Sequence, residues 1–107
     1  MFAMDKVTAI KKGCEITDSI FKQIVKNIKK FKTEKDIEKF IEKEAEKRKV
    51  KLAFKPVIAN ARNSKDYHHN ADESELKKGF LVIDLGVRYN GYCSDMTRTL
   101  YKGKPTK

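Results

Sequence analysis

An Asn-Gly pair, Asn90-Gly91, separates two β-prone segments and leaves this region few ways to fold. The segments read "FLVIDLGVRY" (residues 80–89) and "YCSDMTRTLY" (residues 92–101). Asn and Gly readily take the two positive-φ positions of a type I′ turn, which joins neighbouring antiparallel strands. The sequence therefore predicts a β-hairpin whose strands pair outward from the residues that flank this turn.

The predicted pairing places two aspartates on the same face of the hairpin. Counting outward from the turn, Gly86 lies opposite Asp95, and Asp84 lies opposite Thr97. Because side chains alternate between the two faces, Asp84 and Asp95 become diagonal neighbours, with roughly 7–8 Å between their backbone positions. The other face is apolar and is expected to pack on helices; it carries Leu81, Ile83, Leu85, Val87, Met96 and Leu100.

Two carboxylates held this close repel each other and lose hydration when they are partly buried. A divalent cation is the best compensation, since carboxylate oxygens suit magnesium or manganese and, with added imidazole, later transition metals. Two other interpretations stay open from the residues alone. Both aspartates could lie at a solvated strand margin with Arg88 or Arg98 as partner, or the turn could be longer than two residues.

Two helices are predicted before the strands. From Lys6 to about Lys30, apolar residues recur in three- and four-residue steps, which indicates one long amphipathic helix. Thr33 and Asp36 have the spacing of a capping box, with Asp in the place of the usual Glu. We expect this second helix to end near Arg48.

The remaining segments complete an α+β fold. "VKLAFKPVIAN" (residues 50–60) is predicted to be a strand, and Pro56 within it favours an edge position or a bulge. Residues 61–79 are polar and are predicted to form a long loop. The expected architecture is two N-terminal helices packed on an antiparallel sheet.

The charge balance gives no specific partner. The chain of 107 residues suits a single domain, and its 25 Lys and Arg against 15 Asp and Glu give a net charge of +10. Such a surplus suits an acidic partner such as nucleic acid. However, the interleaved Lys and Glu of "KFIEKEAEKRKVK" (residues 39–51) are typical of a solvated helix face.

The two cysteines favour a reducing compartment. Cys14 and Cys93 form neither a C-x-x-C nor a His-rich pattern, which disfavours a disulfide scaffold and a structural zinc site. The segment "MFAMDKVTAIKKGCE" lacks the apolar core of a secretion signal, and no run is long enough to span a bilayer. We therefore expect a cytoplasmic protein without a membrane partner.

Three segments resemble a known family. "IDLGVRYNGYCSDMTRT" (residues 83–99) closely resembles the metal-binding hairpin of the pita-bread metallopeptidases, in particular of Xaa-Pro dipeptidases (prolidases) and Xaa-Pro aminopeptidases. "FKPVIANARNS" (residues 54–64) is similar to the "F-x-x-I-x-A-x-x-x-N-S" strand and loop of that family, and "HHNADESELKKG" (residues 68–79) to its histidine-containing segment. The resemblance runs from near residue 7 to the C-terminus.

The resemblance implies a metal-dependent hydrolysis of the amide bond before proline in a peptide substrate. In that family the aspartates at the positions of Asp84 and Asp95 are metal ligands. Asp84 would ligate one ion and Asp95 would bridge two, and the ions are commonly manganese or cobalt, sometimes zinc.

The resemblance also implies a histidine beside the substrate, which donates a hydrogen bond or moves a proton at the scissile amide. The candidates are the neighbours His68 and His69. The spacing from Asn63-Ser64 favours His68, whereas Tyr67 stands where the family has a proline before the histidine. Without the resemblance, both would be interpreted as loop histidines without a role.

Residues 1–107 match only part of what the resemblance requires. In that family a histidine and two glutamates from the second half of the fold complete five metal ligands. The resemblance thus implies an N-terminal half of a pita-bread catalytic domain, with an incomplete two-ion site and no appreciable peptidase activity alone. A homodimer, or a separate chain bearing the missing ligands, would cover the open sheet face.

An alternative interpretation is a non-catalytic binding module of the same fold. Some relatives act as histone- or nucleic-acid-associated proteins, and a chain with a charge of +10 is able to contact phosphates. The aspartate pair and the histidines favour the peptidase, because a pure binding module has no physical reason to keep them.

Overall fold

The protein packs two α-helices on short antiparallel strands, and the computed structural model describes residues 5–60, 71 and 75–102. In chain order the described elements are α1 (Lys6–Lys26), a 3₁₀ turn (Ile28–Lys30), α2 (Glu34–Lys47), β1 (Lys51–Leu52), β2 (Val57–Asn60), β3 (Gly79–Leu85), β4 (Val87–Tyr89), β5 (Tyr92–Cys93) and β6 (Met96–Lys102). This architecture confirms the predicted α+β fold class.

Helix α1 begins after Asp5, whose carboxylate accepts a 2.7 Å hydrogen bond from a first-turn amide. It ends at Lys26, so the predicted end near Lys30 is wrong. The side-chain amide of Asn27 donates to the Gln23 carbonyl at 2.8 Å, and this local bond favours the end of a helix over its continuation. The chain continues as the 3₁₀ turn.

Helix α2 begins with the capping box that the sequence predicts. The Thr33 hydroxyl accepts a 3.0 Å bond from the Asp36 amide, and the Asp36 carboxylate accepts a 3.1 Å bond from the Thr33 amide. The same carboxylate accepts a further bond from the Lys32 amide at 2.9 Å. These contacts satisfy amides that a helix start otherwise leaves unpaired.

The strands form two antiparallel sheets, with strand orders β1-β4-β5 and β2-β3-β6. The prediction of one strand over residues 50–60 is therefore wrong, because β1 and β2 belong to different sheets. The break, residues 53–56, includes Pro56, which has no amide hydrogen to donate to a ladder. Opposite this break, the Ala53 amide donates to the Gly86 carbonyl at 2.8 Å.

The hairpin has the predicted turn and register. Asn90 and Gly91 have φ values of 51° and 85°, and Tyr89 pairs with Tyr92. The register then continues without a slip from β4 and β5 into β3 and β6. The interpretation with a longer turn is thus wrong.

Each predicted hairpin strand is nevertheless divided in two. The first strand is interrupted at Gly86, between β3 and β4, and the second at Ser94-Asp95, between β5 and β6. The divisions lie opposite each other, so the hairpin passes from one sheet into the other at this point.

One hydrophobic core fills the space between the helices and the strands. The predicted apolar hairpin face is confirmed, since β3 and β4 bury their core-facing residues and Met96 and Leu100 pack against them. The fully buried aliphatic side chains of this core include Ile20, Ile24, Ile37, Ile41, Ile58, Leu81, Ile83, Leu85 and Val87. The helices thereby cover one face of the sheet β2-β3-β6, and neither helix covers the other face, which we call the free face.

The end of the predicted polar loop belongs to the core. Leu76 is buried, and its amide donates a 2.6 Å hydrogen bond to the Lys32 carbonyl at the start of α2. Residues 61–70 and 72–74 of that loop lie outside the described residues.

Neither α1 nor α2, the helices of the described part, is both long and apolar enough to cross a bilayer.

Candidate metal centre

Asp84 is a buried carboxylate on the free face of β3. It lies between Val57 of β2 and Thr97 of β6, and its residue is only 7% exposed. Its Oδ1 atom is buried and has no hydrogen-bond partner among the described residues. Because most buried polar atoms in native proteins are paired, this oxygen points to a missing ligand.

Asp95 lies next to it on the same face, in the interruption between β5 and β6, and its side chain is exposed. The pKa of Asp84 is raised to about 6, first by burial and then by the neighbouring Asp95 carboxylate. The Thr97 hydroxyl acts in the opposite direction and lowers the pKa of Asp84. The two carboxylates therefore interact, as the diagonal geometry predicts.

Within the described part of the chain, neither Arg88 nor Arg98 neutralises the pair of Asp84 and Asp95. The Arg98 guanidinium lies over the Phe21 ring, 5.8 Å from its centroid, and therefore faces the helices. No ion pair found within residues 5–60, 71 and 75–102 includes either aspartate. Since Asp84 is also buried, the interpretation of a solvated strand margin is wrong for this residue.

The pair fits a divalent cation. Carboxylate oxygens are hard donors, and a cation between them would satisfy the unpaired Oδ1 atom and offset the repulsion that raises the pKa of Asp84. Within the described residues, no third His, Cys, Asp or Glu side chain joins them in a metal-binding group. The described part thus supplies two ligands of such a site.

Two glycines that sequence reasoning missed lie against Ser94, and one of them, Gly86, is required for this arrangement. A Cβ atom on Gly86 would lie 1.9 Å from the Ser94 carbonyl oxygen, so only glycine permits this approach of the two strands. On α1, a Cβ atom on Gly13 would lie 3.4 Å from the Ser94 hydroxyl oxygen. A glycine inside a helix or strand pattern is the sequence signal for such a close approach.

The predicted histidines, His68 and His69, lie outside the described residues. Asn60 and Lys77, on either side of that segment, bond to each other. The Asn60 side chain accepts a 2.6 Å bond from the Lys77 amide and donates a 3.0 Å bond to its carbonyl. Asn60 therefore holds together the two ends of the segment that carries both histidines.

A sequence model described as "Metallopeptidase family M24" matches residues 8–107. This chain belongs to metallopeptidase family M24. The expected resemblance is thus confirmed at the level of the family, and the match includes the hairpin with both aspartates as well as α1, α2 and the segment with the histidines.

Curated and solved relatives give a consistent picture. The chain is 36% identical over 104 residues to a putative Xaa-Pro aminopeptidase of Mycoplasma genitalium, with 95% of this chain and 29% of the relative covered. It is 33% identical over 105 residues to a Xaa-Pro dipeptidase of Pyrococcus furiosus, with 96% and 30% covered. The solved X-Pro aminopeptidase of Thermotoga maritima superposes with a TM-score of 0.86 at 30% identity, with 97% and 31% covered.

These matches confirm that the chain has part of the pita-bread fold of the M24 peptidases. They also show that it spans about 30% of the length of the curated relatives that it matches.

Proposed function

We propose that this chain contributes the first two metal ligands of a Xaa-Pro peptidase and corresponds to the N-terminal half of its catalytic domain. The observation that carries this proposal is the buried Asp84, with an unpaired oxygen and a raised pKa beside Asp95, within an M24 hairpin. The names of the relatives, Xaa-Pro aminopeptidase and Xaa-Pro dipeptidase, support a peptide substrate with proline after the cleaved bond.

The two aspartates have different roles in this proposal. Asp84, which is buried in β3, would ligate one ion, and Asp95 would bridge two, as the family resemblance implies. Manganese or cobalt, or alternatively zinc, supplies the chemistry when bound, because divalent ions lower the pKa of water and polarise a carbonyl group. His68 or His69 positions the substrate at the scissile amide.

The remaining ligands are not among the residues that the structure describes. The part of the chain described here supplies two carboxylates, and two carboxylates do not close the coordination sphere of two ions. A second copy of the chain, or the missing C-terminal half of the catalytic domain, would bring further ligands to the free face of β3. We therefore expect no appreciable Xaa-Pro hydrolysis by the chain alone.

A chimera tests the proposal directly. The matched region of the Pyrococcus furiosus Xaa-Pro dipeptidase would be replaced by this chain, and hydrolysis of a Xaa-Pro dipeptide measured with manganese. We expect activity that falls about 100-fold or more in Asp84→Asn and in Asp95→Asn, because each removes a metal ligand. Glu42→Gln, which changes an exposed carboxylate on α2, is the matched control.

Two results would contradict the peptidase assignment. One is a folded chimera without activity. The other is activity that both aspartate substitutions leave at the level of the Glu42→Gln control.

One observation favours the second candidate, a binding module for nucleic acid. Four exposed lysines lie together around the 3₁₀ turn, and none of them has an ion-pair partner within the described ranges: Lys26, Lys29, Lys30 and Lys32. Retention on a polyanion column that falls steeply with salt, and that charge reversal of these lysines removes, would support this candidate.

A further inference from the structure

Asp95 lacks the support that a strand gives to its residues. β5 ends at Cys93 and β6 begins at Met96, so Ser94 and Asp95 lie between two strands. Two neighbouring carboxylates repel each other when both are ionised, and Asp95 is exposed, so little surrounds its side chain to keep it beside Asp84. Something else must hold the backbone of Asp95 in place.

Ser94 has the contacts to do this. Its residue is 6% exposed, although Cys93 and Asp95 on either side are exposed. Its amide donates a 2.9 Å hydrogen bond to the Val87 carbonyl, and its hydroxyl oxygen lies 3.4 Å from the Val87 amide nitrogen and 3.4 Å from the Val87 oxygen. Ser94, the residue before Asp95, is thus hydrogen-bonded to Val87 at the start of β4.

The hydroxyl of Ser94 also connects the hairpin to α1. It lies 3.1 Å from the hydroxyl of Thr17, which is fully buried and donates a 2.9 Å bond to the Gly13 carbonyl. When the Thr17 hydroxyl donates to the Gly13 carbonyl, the Ser94 hydroxyl donates to the Thr17 hydroxyl oxygen and accepts from the Val87 amide. Every donor in this chain of three bonds then has one acceptor.

We propose that Ser94 and Thr17 are positioning residues, which hold Asp95 beside Asp84 so that both carboxylates bind one divalent ion. This inference rests on the proposed metal site. Neither hydroxyl reaches the ion; both act through the backbone of Asp95. Helix α1 thereby becomes a support of the metal centre, in addition to its part in the core.

The test compares two variants that each remove one hydroxyl. Thr17→Val keeps the shape of the side chain, and Ser94→Ala removes the central oxygen of the network. Ser19→Ala is the matched control, because Ser19 also lies on α1 and also accepts one side-chain hydrogen bond, at 2.9 Å from Arg48. The probe is Mn²⁺ alone, added to the full chain and followed by paramagnetic broadening of amide resonances.

We expect Thr17→Val and Ser94→Ala each to weaken Mn²⁺ binding about 10-fold, as for other residues that orient metal ligands. The double variant should bind Mn²⁺ no more weakly than the single variant with the lower affinity, because both changes break the same network. Ser19→Ala should leave the affinity unchanged. Unchanged affinity in the first two variants, or an equal loss in the control, would overturn the inference.

Hydrogen exchange separates this inference from the proposed function. Thr17→Val should lower the protection of the amide at position 94 by about 5- to 10-fold, corresponding to the loss of one hydrogen bond, without a comparable change at Ile83 in β3. Lost protection in a chain that binds no Mn²⁺ would refute the metal site while supporting the positioning role. Unchanged protection would overturn the positioning role, whatever the metal result.

Discussion

We expect Asp84 to destabilise the fold at neutral pH, because its raised pKa means that the folded chain disfavours the ionised carboxylate. A buried carboxylate beside a second carboxylate loses hydration, and the hydrogen bond from the Thr97 hydroxyl offsets this only in part, so the ionised form of Asp84 is unfavourable in the folded chain. Selection for stability alone would favour an apolar or amide side chain at this position. A bound cation reverses the balance, because it makes the ionised form the preferred one.

The pH dependence of stability follows from the pKa of Asp84. Its pKa is about 6 in the folded chain against an ordinary 3.8, so the folded state holds the proton more tightly. The resulting stabilisation is complete below pH 3.8 and is lost as the pH rises through about 6. Asp84→Asn should therefore raise the free energy of unfolding at neutral pH, on the order of 1 kcal/mol, allowing for the screening of exposed Asp95.

Chemical denaturation across this pH range measures the effect. The difference between Asp84→Asn and the parent chain should shrink toward acidic pH, whereas Glu42→Gln should show no such trend. A neutral-pH stability that is lower in Asp84→Asn than in the parent would contradict the assignment of an uncompensated buried charge.

At the scale of the elements, the junction of the two sheets depends on Gly86. Gly86→Ala would place a Cβ atom 1.9 Å from the carbonyl oxygen of Ser94 and 2.8 Å from the Phe54 ring. We expect a loss of about 3 kcal/mol in the free energy of unfolding, at the upper end for overpacked sites. The measurement is denaturant unfolding of the metal-free chain.

Gly13→Ala is the informative control for this substitution. Its Cβ atom would meet the Ser94 hydroxyl at an ordinary 3.4 Å, and alanine is favoured over glycine inside a helix. The variant should be neutral or slightly stabilised. Equal losses in both glycine variants would show that the junction is not the constrained point.

Local sequence signals predicted the elements, and contacts between distant segments set their divisions. The Asn90-Gly91 turn and the Thr33 capping box depend on neighbours within four residues, so both could be predicted. A glycine inside a strand pattern signals a close approach at Gly86, but its contact partners, Ser94 and Phe54, belong to other segments and are not encoded by the local pattern.

Burial of charge was equally hard to predict. Glu44 lies in a segment predicted to be a solvated helix face, yet it is buried. Its carboxylate lies 3.3 Å from the Lys47 ammonium group and 3.2 Å from the Arg48 guanidinium group. Likewise, the pairing of Asp84 and Asp95 on one face followed from strand alternation, whereas the depth of Asp84 depends on the neighbouring strands β2 and β6.

At the scale of the whole molecule, the free sheet face carries two exposed aromatic rings in addition to the carboxylates. Phe80 is 59% exposed and Tyr101 is 40% exposed, and their rings contact each other edge to face with centroids 5.4 Å apart. Phe80 lies an even number of positions from Asp84, and Tyr101 lies an even number of positions from Thr97, which pairs with Asp84. Because side chains alternate along a strand, both rings share the face of Asp84. A partner that completes the metal site would cover these rings as well.

The predicted homodimer makes this testable. Two chains with a charge of +10 repel each other, so association through the aromatic rings should strengthen as salt screens the charges. Sedimentation velocity at micromolar concentration should show a dimer fraction that rises with salt and that Phe80→Ser removes. A folded monomer at both low and high salt would contradict the homodimer and favour the missing C-terminal half of the catalytic domain as the source of the other ligands.

The central claim, that Asp84 and Asp95 form a metal centre, is tested most directly by Mn²⁺ titration followed by paramagnetic broadening of amide resonances. We expect the amide resonances around both aspartates to broaden first, equally in the parent chain and in Glu42→Gln. Asp84→Asn and Asp95→Asn should each require about 10-fold more Mn²⁺ or greater. A folded chain whose broadening is absent from the hairpin, or is unchanged by both substitutions, would contradict it.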